Sequence, residues 1–276
     1  MNSSVPSHGL ASRLRSYFFF VPVIWAYTVF MGTFSLLSSL FDRDGRIQQW
    51  FAVTWSKMIL KTISVPVNVH GMEHIDTSRP HMYALNHLSA LDIPVVYVTM
   101  PVHFRIMAKV ELFRYPFLGW HLRRSGQVSI ERENAISSMR SLNKAAASLK
   151  AGMPLVVFPE GGRSANGIVQ PFLPGVFYVA IKSGVDVVPV ALVGTYEMLP
   201  MDTFHIMPRP VEVLVGEPIA STGYSIREMD KLAAKVQKAV EDLYYSRADV
   251  KPPSPEHIAA PTPTGELPRV SHQGGI

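Results

Sequence analysis

No Asp, Glu, Lys or Arg occurs between Arg15 and Asp42. An uncharged run of that length, 17–41, must bury its apolar side chains in a bilayer, at its surface or against a protein core. A spanning helix needs only ~20 such residues. Arg13 and Arg15 precede the run, which favours a cytoplasmic N-terminus for a spanning helix. Pro22 and Gly32 are points where it can bend into a re-entrant or interfacial course. The run exceeds the ~7–15-residue core of a cleaved signal peptide, and no small-x-small cleavage site follows it.

A second apolar segment covers 50–61. Phe51, Trp55, Met58 and Ile59 share one helical face, with Lys57 and Lys61 opposite. Tryptophans beside lysines suit the headgroup boundary of a membrane; the same pattern also suits an amphipathic helix packed on a domain, and the sequence leaves both open. A composition of 47% hydrophobic and 17% charged residues fits membrane association, and a net charge of +5 favours an anionic partner. That partner reads as phospholipid headgroups or a phosphorylated substrate. It does not read as nucleic acid, because the Lys and Arg form no arm or stripe. With no cysteine in the chain, disulfides, Cys-ligated zinc and a cysteine nucleophile are excluded together.

From 62 to 248 short segments rich in Val, Ile or aromatics alternate with helical ones. Strands are expected at 63–69, 82–85, 104–108, 128–130, 155–158, 187–193 and 211–215. Helices are expected at 134–150, where Met139, Leu142, Ala146 and Leu149 recur at helical spacing before Gly152, and at 226–245. This alternation predicts an α/β fold with a mixed, largely parallel central sheet flanked by helices. The chain thus divides into an N-terminal membrane-associated helical segment (1–61), an α/β domain (62–248) and a Pro-rich tail (249–276) that cannot assemble an apolar face and is expected to be disordered.

Three constellations carry chemistry. In Asn86-His87-Leu88-Ser89-Ala90-Leu91-Asp92 the polar residues appear where the expected strand at 82–85 ends. An alcohol is a poor nucleophile at neutral pH, and an imidazole, which titrates close to neutrality, can take its proton as attack begins. A carboxylate on the other ring nitrogen fixes the tautomer. Alone, the same seven residues describe a capping Asn with a half-buried His. In Phe158-Pro159-Glu160-Gly161-Gly162-Arg163-Ser164 two glycines admit close approach of a ligand and Arg163 can grip a phosphate; alone, this is a Gly-rich turn with a surface ion pair. The span 109–132 gathers Lys109, Arg114, Arg123, Arg124 and Arg132, with Arg132 set apart at the end of a short strand. His70-Gly71-Met72-Glu73-His74 matches a zinc-peptidase pattern. That chemistry needs a helix, whereas a β-like lead-in and Gly71 predict a strand and turn, so no metal site is expected.

Taken in order, these segments resemble the glycerolipid acyltransferase family, the 1-acylglycerol-3-phosphate acyltransferase type. Asn86–Asp92 is similar to the family's Asn-His-x-Ser-x-x-Asp block, 109–132 to its second block, and Phe158–Ser164 to its Phe-Pro-Glu-Gly-Thr-Arg-Ser block. Val188-Pro189-Val190 is similar to its fourth. Gly162 stands where Thr is usual and Leu173 where Lys is usual. The resemblance implies acyl transfer from acyl-CoA or acyl carrier protein to the free sn-2 hydroxyl of lysophosphatidic acid, giving phosphatidic acid without a further cofactor. It implies a membrane-bound enzyme, placed at the cytoplasmic membrane with its site facing the cytoplasm. In that reading His87 and Asp92 are catalytic, and Lys109, Arg132, Glu160, Gly161, Gly162 and Arg163 bind substrate. Another lysolipid, such as a lyso-ornithine lipid, is the alternative acceptor. A catalytically silent lipid-binding protein is the alternative of a different class.

Overall fold

The computed structural model describes residues 9–42, 44–131 and 135–252. The expected tail lies outside them from residue 253 onward. A single helix, α1 (Leu10–Ser38), carries the uncharged run. Pro22 does not break it. The turns just before, Ser16–Phe20, widen to π-helical spacing, which accommodates a proline that lacks an N–H and crowds the preceding turn. The second apolar segment forms α2 (Arg46–Thr62), which packs on α1. Its start is held by Asp42, whose carboxylate accepts the N–H groups of Gly45, Ile47 and Gln48 at 3.0, 2.7 and 3.2 Å.

Seven strands follow: β1 (Val67–His70), β2 (Met82–Leu85), β3 (Arg105–Lys109), β4 (Val128–Ile130), β5 (Leu155–Val157), β6 (Val187–Val193) and β7 (Val211–Val215). They form one sheet in the order β1-β7-β6-β2-β5-β3-β4. Only β6 and β7 pair antiparallel; the other pairs are parallel. The expected strand at 63–69 begins only at Val67. Helix α2 runs on to Thr62, Ser64 turns the chain with φ of 54°, and Pro66 can donate nothing to a ladder.

Alternation along the strands divides the core in two. Met82 and Ala84 of β2, Leu155 and Val157 of β5, and Ala191 of β6 pack under α5 (Ala135–Lys150), α6 (Tyr178–Ser183) and α8 (Met229–Tyr245). Tyr83 and Leu85, Val156, Val188 and Val190 face the other way, under α2 and α3 (Asp92–Thr99), with Phe20 and Ile24 of α1 joining them. Two short helices, α4 (Leu118–Arg124) and α7 (Thr195–Met198), complete the α-helices among the described residues. Because β2, β3, β4 and β5 run parallel, their C-terminal ends share one edge of the sheet. The chain leaves β2 for β3 on one side and β5 for β6 on the other, and the C-terminal edge of such a sheet is where α/β folds bind ligands.

Candidate active site

His87 follows the central strand β2 by two residues. Asn86, between them, is buried and extends the sheet with its side chain: its amide donates to Leu192 O at 2.9 Å and its oxygen accepts Leu192 N–H at 2.8 Å. That double bond to β6 fixes where the chain leaves the sheet. Asp92 opens α3 with its carboxylate turned back. One oxygen accepts the His87 Nδ1–H at 2.8 Å and the N–H groups of Leu88 and Ser89 at 2.7 and 2.9 Å. A fully buried carboxylate that accepts two amides is an acceptor toward the ring as well, so the proton sits on Nδ1 and the lone pair on Nε2. The imidazole stacks on Phe158, with ring centroids 4.2 Å apart, and remains 19% exposed. It is therefore held yet reachable.

The glycine loop after β5 is tied to the same backbone. Ser164 N–H donates to His87 O at 2.8 Å. Glu160 is buried and bonds no side chain of the loop: its oxygens accept His87 N–H at 2.6 Å and Gln170 N–H at 2.9 Å. Burial pushes the Glu160 carboxyl up to about 8, although the bonds from Gln170 and His87 pull it the other way. Glu160, expected to bind substrate, thus clamps two backbone amides. Gly161 has φ of 74° and its N–H closes a turn on Phe158 O at 3.0 Å, a conformation that favours glycine. A Cβ at Gly162 would meet no atom within 4 Å, so glycine in place of threonine leaves the loop path unaltered.

Arg163 is exposed beside Ser164, one residue from the tie to His87. Lys109 is exposed at the C-terminal end of β3, in register with Ile130 of β4, on the same edge of the sheet. Arg132 lies outside the described residues. Leu173, at the position where lysine is usual, is partly exposed, and its N–H donates to Pro159 O at 2.9 Å. Helix α8 holds the outgoing loop down: Tyr244 OH donates to Gly167 O at 2.7 Å, and Gln237 accepts Phe172 N–H at 2.9 Å. His70 and His74 do not come together as a helical pair. His70 ends β1 and bonds Glu212, whereas His74 ends a 3-10 turn and bonds Val215 O through Nδ1.

Sequence reasoning missed Phe158 as the stacking partner, Asn86 as the tie to β6 and Gln170 as the second amide of the Glu160 clamp. An aromatic directly before Pro-Glu was the available signal for the first; the others depend on backbone partners that no spacing reveals. Chemically, the site offers a tautomer-locked, partly exposed imidazole at the C-terminal edge of the sheet, with one cation on the adjoining loop and another at the edge.

Residues 66–193, which contain both loops, match the model of the acyltransferase family. The chain carries an acyltransferase-family domain. It is 32% identical over 221 residues to the chloroplastic 1-acyl-sn-glycerol-3-phosphate acyltransferase LPAT1 of Arabidopsis thaliana, an alignment covering 78% of this chain and 61% of the plant protein. It is 27% identical to the 1-acyl-sn-glycerol-3-phosphate acyltransferase of Saccharomyces cerevisiae, covering 75% and 69% respectively. Among solved structures it is similar to the 1-acyl-sn-glycerophosphate acyltransferase PlsC of Thermotoga maritima, with a TM-score of 0.70 and 29% identity, covering 84% of this chain and 94% of that one. The chain spans 61–65% of the length of the first three curated relatives. Its acyltransferase domain includes every described site residue named above.

Proposed function

We propose that this acyltransferase moves a fatty acyl group from a thioester donor, acyl-CoA or acyl carrier protein, to the free hydroxyl of lysophosphatidic acid, giving phosphatidic acid. The observation that carries the reading is the His87–Asp92 pair beside the Arg163 loop, joined to it through the Ser164 to His87 backbone bond. His87 Nε2 takes the acceptor's hydroxyl proton as its oxygen attacks the thioester carbonyl. The tetrahedral oxyanion then collapses, the C–S bond breaks, and the imidazolium returns the proton to the departing thiolate. Asp92 holds the tautomer and steadies the imidazolium. Arg163, with Arg132 and Lys109, takes the acceptor phosphate. Gly161 and Gly162 let the loop backbone approach it, and Glu160 serves by fixing the loop to His87. With no cysteine in the chain, a single displacement with both substrates bound fits better than an acyl-cysteine intermediate.

The site works at a membrane surface in this reading. Helix α1 is bound to α2 and to the domain along its length: Ser16 exchanges hydrogen bonds with Ile206, Thr28 accepts from Trp55 of α2, and Ser35 bonds His121. Ser16 to Ser35 spans roughly 28 Å of helix, close to the ~30 Å thickness of the hydrocarbon layer. A helix flanked by its domain over that distance fits lying in the interface, with Trp25, Phe30, Phe34 and Leu37 exposed toward lipid, rather than crossing. A lysolipid acceptor in the bilayer and a donor in the cytoplasm meet there.

The test is acyl transfer by purified full-length protein from one acyl-CoA to a panel of lysophosphatidic acid, lysophosphatidylcholine and lyso-ornithine lipid. Preference for lysophosphatidic acid supports the proposal. Preference for an acceptor without a phosphomonoester would overturn it in favour of the reading that Leu173, standing in for a lysine, permits.

A further inference from the structure

Between β3 and β4 the chain builds an exposed knob of aromatic and basic residues that the chemistry above leaves unused. Tyr115, Phe117 and Trp120 are 59%, 65% and 49% exposed, and Leu112 and Leu118 lie open beside them. The knob is firmly made. Gly119 N–H donates to Tyr115 O at 2.8 Å, a Cβ on Gly119 would come within 2.1 Å of Phe113 O, and the Arg123 guanidinium bonds that same carbonyl. Phe117 sits at φ of 60°, a strained conformation for a bulky residue. Strain that holds an aromatic ring out in solvent, against only the tilted ring of Trp120 at 5.3 Å, has no folding benefit in the protein alone.

Three observations point to the same occupant. The His121–Ser35 bond at 3.1 Å joins α4 to the C-terminal half of α1, so the knob continues the exposed face that ends in Leu37, Leu40 and Phe41. Arg114 and Arg124 are exposed among the rings, the mixture of apolar anchors and cations that favours an anionic lipid surface. The segment also follows β3, on the edge of the sheet where His87 stands.

We infer that the 112–120 segment is a second bilayer-docking element, inserting Phe117, Leu118 and Trp120 into an anionic phospholipid surface and turning the sheet edge that carries His87 toward it. The inference rests on the reading of α1 as an interfacial helix. Two contact lines, rather than one helix free to roll, fix the angle at which that edge meets a lysolipid.

The experiment uses full-length protein with a single tryptophan, retaining Trp120 in one version (W25F/W50F/W55F) and Trp25 in the other (W50F/W55F/W120F). Each is mixed with phosphatidylglycerol vesicles containing brominated phosphatidylcholine. The expected result is quenching and a blue shift of both reporters. Quenching of Trp25 with Trp120 unaffected overturns the inference and leaves the α1 reading standing; quenching of neither overturns both. A Trp120 emission already blue-shifted without lipid, in a protein that sediments as a dimer, assigns the knob to a second copy and likewise overturns it. In the otherwise native chain, F117S/L118S is expected to lower vesicle partitioning by about tenfold or more, while acyl transfer in detergent micelles is unchanged. R114Q/R124Q is expected to lower binding to anionic vesicles by about fivefold per charge, with no effect on neutral ones. Unchanged partitioning in both variants contradicts the inference.

Discussion

One carboxyl oxygen of Glu160 accepts the backbone N–H of His87 at 2.6 Å while the other accepts that of Gln170 at 2.9 Å. The acid of the glycine loop thus grips the chain that carries the imidazole, and a shift of either loop displaces the other. Burial raises this carboxyl from its ordinary value near 4.5 to about 8.

A raised acid holds its proton in the folded state at pH values where the unfolded chain has lost it. Stability from this group therefore falls as pH rises from about 4.5 to about 8. Glu160→Gln should flatten that slope. At the acid end of the window it should also lower stability by roughly 1–3 kcal/mol, since an amide turns an NH2 toward one of the two N–H donors, and this deficit should shrink as pH rises. His81, whose burial lowers its pKa, contributes a slope of the opposite sign, so the readout is the difference between wild type and variant. Melting temperatures across the window check it; parallel curves would contradict the clamp.

Asp92→Asn retains shape and loses the charge. Its amide oxygen would keep the bonds from His87 Nδ1 and from the N–H groups of Leu88 and Ser89, all of which end on one oxygen, so the tautomer is kept while the imidazolium loses its counter-charge. Turnover should fall by about 10²-fold, with acceptor KM little changed. A kcat near the wild-type value would show that the charge of Asp92 is dispensable.

Arg163→Ala should raise the KM for lysophosphatidic acid by about tenfold to a hundredfold, as expected for one charge-assisted bond to phosphate, without matching loss of affinity for acyl-CoA. Arg163→Lys should recover only part, because an ammonium cannot make the paired contact. Equal effects on both substrates would place Arg163 on the donor instead.

Ser16 is buried in the widened turn of α1 and bonds both the N–H and the carbonyl of Ile206, at 3.1 and 3.0 Å. Ser16→Ala leaves that N–H unpaired and should cost about 1–3 kcal/mol. The loss should appear as faster hydrogen exchange in 10–20 and 200–207 while the sheet stays protected. Uniform loss of protection would mean that this contact supports the whole fold.

Much of the architecture could be read from local pattern. The seven strands overlap short apolar segments rich in Val, Ile, Leu, Met or aromatics, and α5 and α8 fall where apolar residues recur every three or four positions, since burial on one face demands those periods. The first strand was placed too early because apolar residues at 63–66 look the same in a helix end and a linker; Ser64 and Pro66 decide it by conformation. Histidine and aspartate five apart were visible as a possible dyad, but Asn86 reaching Leu192 and Ser16 reaching Ile206 were not, because the partner in each case is a backbone group distant in sequence. The amide partners of Glu160 were hidden for the same reason, since His87 N–H and Gln170 N–H are backbone groups.

The central claim is that the imidazole of His87 is the base that takes the acceptor's hydroxyl proton. It is tested most directly by the single-turnover rate of acyl transfer from acyl-CoA to lysophosphatidic acid in wild type and His87→Ala, with melting temperature and vesicle binding measured on the same samples. The account predicts a rate lower by about 10²- to 10⁴-fold with both other properties preserved. A variant that folds, binds membranes and transfers acyl groups at nearly the wild-type rate would contradict it.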